Sequence, residues 1–178
     1  MADYEWNTAE LTGLAGRLRV FDTVSLSGVV YTARDAAHKK LFALLDEGKP
    51  LPFPLKGSTI YYAGPTQTPP GLAIGSCGPT TSGRMDPFAP RLLDLGLCCM
   101  IGKGERSREV KDAIIRNHAV YLCAIGGAGA LACQCIRSCE VIAFPELGCE
   151  SVKRLVFDHF PLIVANDAAG GDIFTRND

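Results

Sequence analysis

No stretch of this 178-residue sequence approaches the roughly 18–20 consecutive apolar residues of a membrane-spanning helix. Its start, "MADYEWNTAEL", lacks the apolar centre of a secretory signal. A cytoplasmic location without a membrane partner is therefore expected. An excess of charge is also missing, with 18 Lys and Arg against 19 Asp and Glu, so no bulk attraction to nucleic acid is expected. The eight cysteines, Cys77, Cys98, Cys99, Cys123, Cys133, Cys135, Cys139 and Cys149, contain no C-x2-C pair, which excludes the usual zinc spacing. With no secretion signal a disulfide framework is not expected either. Most of these thiols read as small buried hydrophobes, and Cys77 stands apart because its neighbours are polar. Repeats, low-complexity segments and dividing linkers are absent. A weakly periodic arm or lead-in over 1–16 and one domain over 17–178 are expected.

What is present is a large apolar fraction, 47% of residues, enough to bury roughly 70% of the unfolded surface in a chain of this size. "RLRVFDTVSLSGVVYTA" alternates and is rich in β-branched and aromatic residues, as strands are. "TARDAAHKKLFALLDEG" follows as a helix, with Thr32 and Asp35 resembling a capping box and Gly48 closing it. "GSTIYYAGP" and "LAIGSC" read as strands, "APRLLDLG" as a helix, "LCCMIG" as a buried strand, and "SREVKDAIIRNH" as a helix capped by Ser107. "AVYLCAI" is a strand, "GGAG" a turn, "ALACQCIRS" a helix, and "EVIAFPE" and "FPLIVAND" are strands flanking a short "GCESVKRL" segment. Strand and helix alternate through the middle of the C-terminal half, the mark of βαβ units in an α/β domain.

The chemistry concentrates in "SCGPTTSGRMD". Gly78-Pro79 fixes a turn, Gly83 frees the backbone, and Thr80, Thr81 and Ser82 between them offer hydroxyls and successive N–H groups. Arg84 adds a planar fork for a carboxylate or phosphate. Arg34 falls at the start of the helix after the first strand, where the macrodipole disfavours a cation, unless an anion lies between it and the free helix N–H groups. His38 lies one turn on, as a packing or surface residue or as part of that site. Lys103 sits between two glycines directly after a buried strand. Three cation-bearing loops at the ends of apolar strands point to a pocket for a small multiply charged anion. "GGAGALA" raises another possibility: G-x-G-x-x-A from Gly127 to Ala132, with Glu146 about twenty residues on, is a loose dinucleotide fingerprint.

"VYTARDAAHKKL", "LPFPLKGSTIYYAGPT", "IGSCGPTTSGRMDPFAPRLLDLGL", "MIGKGERS", "YLCAIGGAGALA" and "EVIAFPELGCESV" together resemble the β-subunit of iron–sulfur-dependent fumarate and tartrate dehydratases. The same module forms the C-terminal domain of single-chain class I fumarases. The similarity runs from Leu18 to Asp172. It implies a single swivelling α/β domain of β/β/α layers, mixed sheet layers packed with a helical layer. It implies a hydro-lyase that hydrates fumarate reversibly to L-malate, with L-tartrate dehydration as the alternative. The [4Fe-4S] cluster would be carried by a partner α-subunit and ligated by no residue of this chain. Arg34, Arg84 and Lys103 would hold the carboxylates of a small dicarboxylate, and Thr80 would be the base. Thr81 and Ser82 would donate hydrogen bonds to a carboxylate. The resemblance further implies a hetero-oligomer, or self-association of the isolated chain, and no activity without the α-subunit. Phe21 stands where the family often has glycine, at a turn away from the site. A standalone dinucleotide- or anion-binding module built on the "GGAGA" turn remains the reading of a different class.

Overall fold

The computed structural model describes residues 1–125 and 127–175. The chain runs β1 (Asp3–Asn7), α1 (Thr8–Leu14), β2 (Thr23–Thr32), α2 (Asp35–Asp46), β3 (Thr59–Tyr61), α3 (Ala89–Asp94), β4 (Cys99–Gly102), α4 (Arg108–Arg116), β5 (Val120–Cys123), α5 (Gly129–Ala132), β6 (Ile136–Ala143) and β7 (Val152–Asn166), with short 3-10 turns between. The strand order is β1-β2-β3-β4-β5-β7-β6, and β7 also pairs with β2. Strands β1 to β5 pair in parallel, whereas β7 is antiparallel to β2, β5 and β6. The pairings β2–β3–β4–β5–β7–β2 thus close a ring. The ring bends at a register shift between Leu26 and Gly28, close to His159 at φ 52, as a β-bulge allows.

Alternation along the central strands sorts side chains into two cores. Tyr61, Cys99, Ile101, Val120 and Leu122 meet Val24, Leu26, Leu155, Phe157 and Phe160 inside the ring. Ile60, Tyr62, Met100 and Tyr121 face the other way, onto Ala37 and Leu41 of α2, Leu92 and Leu93 of α3, and Ala113 and Ile114 of α4. This is a mixed α/β domain in which sheet lies on sheet and helices cover the outer face. β3 and β4 are buried at every residue, which explains their unbroken apolar runs.

Several local expectations hold. Ser107 caps α4, accepting from Val110 N at 3.4 Å, and Gly48 follows α2 at φ 66, where glycine is unstrained. Phe21 occupies a turn at φ 70. Others are corrected. Residues 1–16 form β1 and α1, and Leu11 and Ala15 are fully buried, so this segment is packed onto the sheet. "LAIGSC" is no strand: the chain folds back on itself, Thr66 N donating to Ser76 O and Ser76 N to Thr66 Oγ1, both at 2.9 Å. Ile74 and Cys77 then plug the inner core from a loop. The expected helix over "ALACQCIRS" ends at Ala132, and a 3-10 turn leads into β6 at Ile136. That strand forms because β7 offers it an antiparallel partner from Phe157 to Val152, which overrides a weak local helix preference. The segments expected as separate, "GCESVKRL" and "FPLIVAND", contribute to one 15-residue strand, β7. No described helix is long and apolar enough to cross a membrane.

Candidate functional site

The neighbouring parallel strands β2, β3 and β4 end at Thr32, Tyr61 and Gly102. Their carboxyl ends are where open α/β sheets bind ligands, and Arg34 and Lys103 lie within two residues of those ends. The Thr80 loop is woven between β3 and β4. Thr80 N donates to Tyr62 O at 2.6 Å, Ser82 N to Lys103 O at 2.9 Å, and Lys103 N to Ser82 Oγ at 3.1 Å. Bridges Ala63–Pro79 and Thr81–Lys103 complete the weave. From the turn Ser82–Met85, Arg84 reaches α2, where its Nε donates to Asp35 Oδ1 at 3.0 Å and its Nη2 lies 2.9 Å from Oδ2. Arg34, Thr80, Thr81, Arg84 and Lys103 are therefore gathered on one end of the sheet. Thr81 is exposed and Thr80 and Lys103 are half-buried.

Ser82 is the exception. It is fully buried, and its Oγ accepts from Lys103 N and from Tyr121 OH, the latter at 2.9 Å. A Cβ on Gly102 would collide with that hydroxyl at 1.9 Å. Ser82 binds the two loops together from inside and does not present its hydroxyl to a ligand.

Arg106 was not singled out by the sequence, although it closes the "GKGER" segment three residues after Lys103. Its side chain is 0% exposed. Nε donates to Asp86 Oδ1 at 2.7 Å, and the guanidinium lies 5.3 Å from the Tyr62 ring centroid and 4.8 Å from that of Tyr121. Asp86 Oδ2 also accepts from Ser107 N at 2.6 Å. One buried ion pair thus joins the loop carrying Arg84 to the loop carrying Lys103. The sequence signal for it was an acid within "GRMD" and a base within "GKGER", each within three residues of one already chosen.

The start of α2 answers the question raised by its cation. Arg34 is the N-cap, and it makes no side-chain cap hydrogen bond. Thr32 does not form the expected box; its hydroxyl donates to Ser151 O at 3.3 Å and accepts from Lys153 N at 3.0 Å, tying β2 to the start of β7. The anion between Arg34 and the helix terminus belongs to the chain itself. Glu150 lies 3.1 Å from Arg34 Nη2 through Oε1 and accepts from Ala36 N at 3.0 Å through Oε2, a favourable place for a carboxylate. The Arg34 guanidinium lies against Gly64, where a Cβ would come within 2.8 Å of Nη1. Its Nε is buried with no partner among the described residues. His38 is fully buried against Tyr62 and Phe88, and burial pulls its imidazole down to about 4. The neutral ring donates from Nδ1 to Arg34 O at 2.8 Å, so His38 anchors the Arg34 backbone and does not face a ligand.

A family model described as Fumarase C-terminus matches residues 5–177. The chain belongs to the fumarase C-terminus family. It is 42% identical over 169 residues to "Fumarate hydratase class I, anaerobic" of Escherichia coli (strain K12), covering 94% of this chain and 31% of that protein. It is 43% identical over 155 residues to "Fumarate hydratase 2" of Leishmania major, covering 86% and 27%. To the "Putative L(+)-tartrate dehydratase subunit beta" of Methanocaldococcus jannaschii it is 38% identical over 164 residues, covering 89% of this chain and 84% of that one. The chain thus spans less than a third of the fumarate hydratases and most of the tartrate dehydratase subunit.

Two further features of this member of the fumarase C-terminus family bear on cofactors. Among the described residues, no three His, Cys, Asp or Glu side chains are gathered as a metal-holding group. Burial pushes the Cys77 thiol up to about 12 and that of Cys98 up to about 11, which keeps both protonated. Without such a group the described residues do not supply the set of thiolates that an iron–sulfur cluster takes. Of the "GGAGA" turn, Gly126 lies outside the described residues and Gly129 serves packing. Gly129 O accepts from Cys77 N at 3.1 Å, and a Cβ on Gly129 would come within 2.9 Å of Gly78 N. Its helix, α5, spans four residues, too short for a dinucleotide site, whose pyrophosphate sits on a full helix N-terminus. Gly129, facing Gly78, lets α5 press against the loop that carries Thr80.

Proposed function

We propose that this chain is the substrate-clamping part of a hydro-lyase that hydrates fumarate reversibly to L-malate. One observation carries the proposal: Arg34, Thr80, Arg84 and Lys103 are gathered beyond the carboxyl ends of adjacent parallel strands, joined by the Thr80–Tyr62 and Thr81–Lys103 pairings and the Arg84–Asp35 pair. Family membership supports it. In this reading the [4Fe-4S] cluster belongs to a partner α-subunit or domain and supplies the Lewis acid of the reaction. The domain swivels to close its clamp over that partner, in a hetero-oligomer. Alone, the chain binds dicarboxylates weakly and turns nothing over.

The chain's own residues then act as follows. Arg84 offers one carboxylate the N–H groups left over from Asp35, and Arg34 does the same for the other carboxylate beside Glu150. Lys103, a compact charge on a short Gly-Lys-Gly loop, adds a third point of attraction. Thr81, exposed at the loop crest, donates to a carboxylate oxygen. Thr80 moves the proton at the carbon beside the one that bears the hydroxyl. Its amide is fixed to Tyr62 O, and three nearby cations stabilise the oxyanion that this role requires. The likeness to a tartrate dehydratase subunit of similar length favours L-tartrate as the second reading.

Anaerobic assembly with the cluster-bearing subunit, followed by parallel assays of fumarate hydration and L-tartrate dehydration, tests the proposal and ranks the substrates. No turnover of either substrate would overturn it. Arg84→Lys keeps the charge but loses the fork, and kcat/KM is expected to fall on the order of 10²-fold with an unchanged melting temperature. Thr80→Ala is expected to lower kcat by about 10²–10⁴-fold and to abolish solvent proton exchange into the substrate. Its KM should stay near that of the wild type.

A further inference from the structure

The first turn of α2 holds both clamp arginines, and it does so through two carboxylates that no step of the reaction uses. We infer that Glu150 and Asp35 are positioning residues that preset the separation of the Arg34 and Arg84 guanidinium groups, and with it the length of diacid the clamp accepts. The inference rests on the clamp reading above.

Each carboxylate fastens an arginine to the same few residues. Glu150 spans Arg34 Nη2 at 3.1 Å and Ala36 N at 3.0 Å. Asp35, the first residue of α2, takes Arg84 Nε at 3.0 Å. Helix N-terminal amides hold carboxylates well, so Ala36 N orients Glu150, and Glu150 in turn orients Arg34. The turn Pro145–Glu150 that carries Glu150 is itself stapled. Lys153 is buried, and its Nζ lies 3.1 Å from Gly148 O, 3.1 Å from Cys149 O and 2.7 Å from Ser151 Oγ. From the other side, Gly64 lacks the Cβ that would come within 2.8 Å of Arg34 Nη1, which lets the guanidinium lie against this backbone. Arg34 is therefore held between Glu150 and Gly64. Arg84 is more exposed, at 51% for its side chain against 19% for Arg34, and it relies on Asp35 for its orientation. Two guanidinium groups tied to one helix turn make a gauge, which in the clamp reading is set to the four-carbon diacid.

The experiment compares competitive inhibition by malonate, succinate and glutarate in the assembled enzyme carrying Glu150→Gln, Asp35→Asn or both, each nearly isosteric. Wild type is expected to prefer succinate. In the double variant that preference should drop roughly tenfold, toward equality, while KM rises more than kcat falls. A ratio of inhibition constants does not depend on the fraction of enzyme folded, so a lowered melting temperature leaves the test valid. Restoring the acids one at a time should restore the preference in steps. If the double variant keeps the wild-type ratio while Arg34→Ala raises KM, the positioning assignment is overturned. If Arg34→Ala leaves KM unchanged, the clamp reading itself is overturned.

Discussion

Arg106→Met is expected to lower the melting temperature by about 6–20 °C, which corresponds to about 3–5 kcal/mol for breaking a buried ion pair in a domain of this size. The side chain is 0% exposed, so its loss strands the Asp86 carboxylate, which keeps the Ser107 amide but loses its counter-charge. Methionine fills much of the volume between Tyr62 and Tyr121, so the loss is electrostatic and not a cavity effect. Adding Asp86→Asn removes the stranded charge, keeps an acceptor for Ser107 N, and should restore more than half of the lost stability. Thermal unfolding of wild type, single and double variants measures this directly. A single variant as stable as wild type would show that the pair does not brace the two loops.

Arg34→Ala is expected to cost about 2–5 kcal/mol in transition-state binding, a drop in kcat/KM of roughly 30- to 5,000-fold. Part of any effect will be structural, because Glu150 loses its cation and keeps only Ala36 N. The double variant Arg34→Ala, Glu150→Gln separates the two contributions. Removing the unpaired charge should return the melting temperature close to that of the wild type, and activity should stay low. Steady-state kinetics of the assembled enzyme, alongside calorimetry, gives both numbers. Recovery of activity together with stability would mean that Arg34 matters for folding alone.

Much of this organisation was legible in the residues. The alternation from Ala89 to Cys123 gave α3, β4, α4 and β5, because these segments are long enough for one periodicity to dominate and Ser107 marks a start. The loops that bear Arg34, Arg84 and Lys103 were legible because strand ends carrying glycines and cations are rare in a chain with balanced charge. Three features escaped. The helix expected at Ala130–Ser138 gives way to β6, since its stability comes from β7 and not from its own composition. Thr32 looked like a cap and instead joins two strands, because Ser151 and Lys153, far away in sequence, arrive beside it. Ser82 looked like a ligand and is a buried tie, for a serine in a polar loop carries no mark of which way it faces.

The order of apolar and polar residues by itself determined the class of fold, the position of the central strands and the set of loops that bear cations, since these depend on local periodicity and turn chemistry. Only the tertiary structure decided which carboxylate answers each arginine. Glu150 reaches Arg34 across 116 positions of sequence and Arg84 reaches Asp35 across 49, and pairings at that range exist only once the ring of strands has closed.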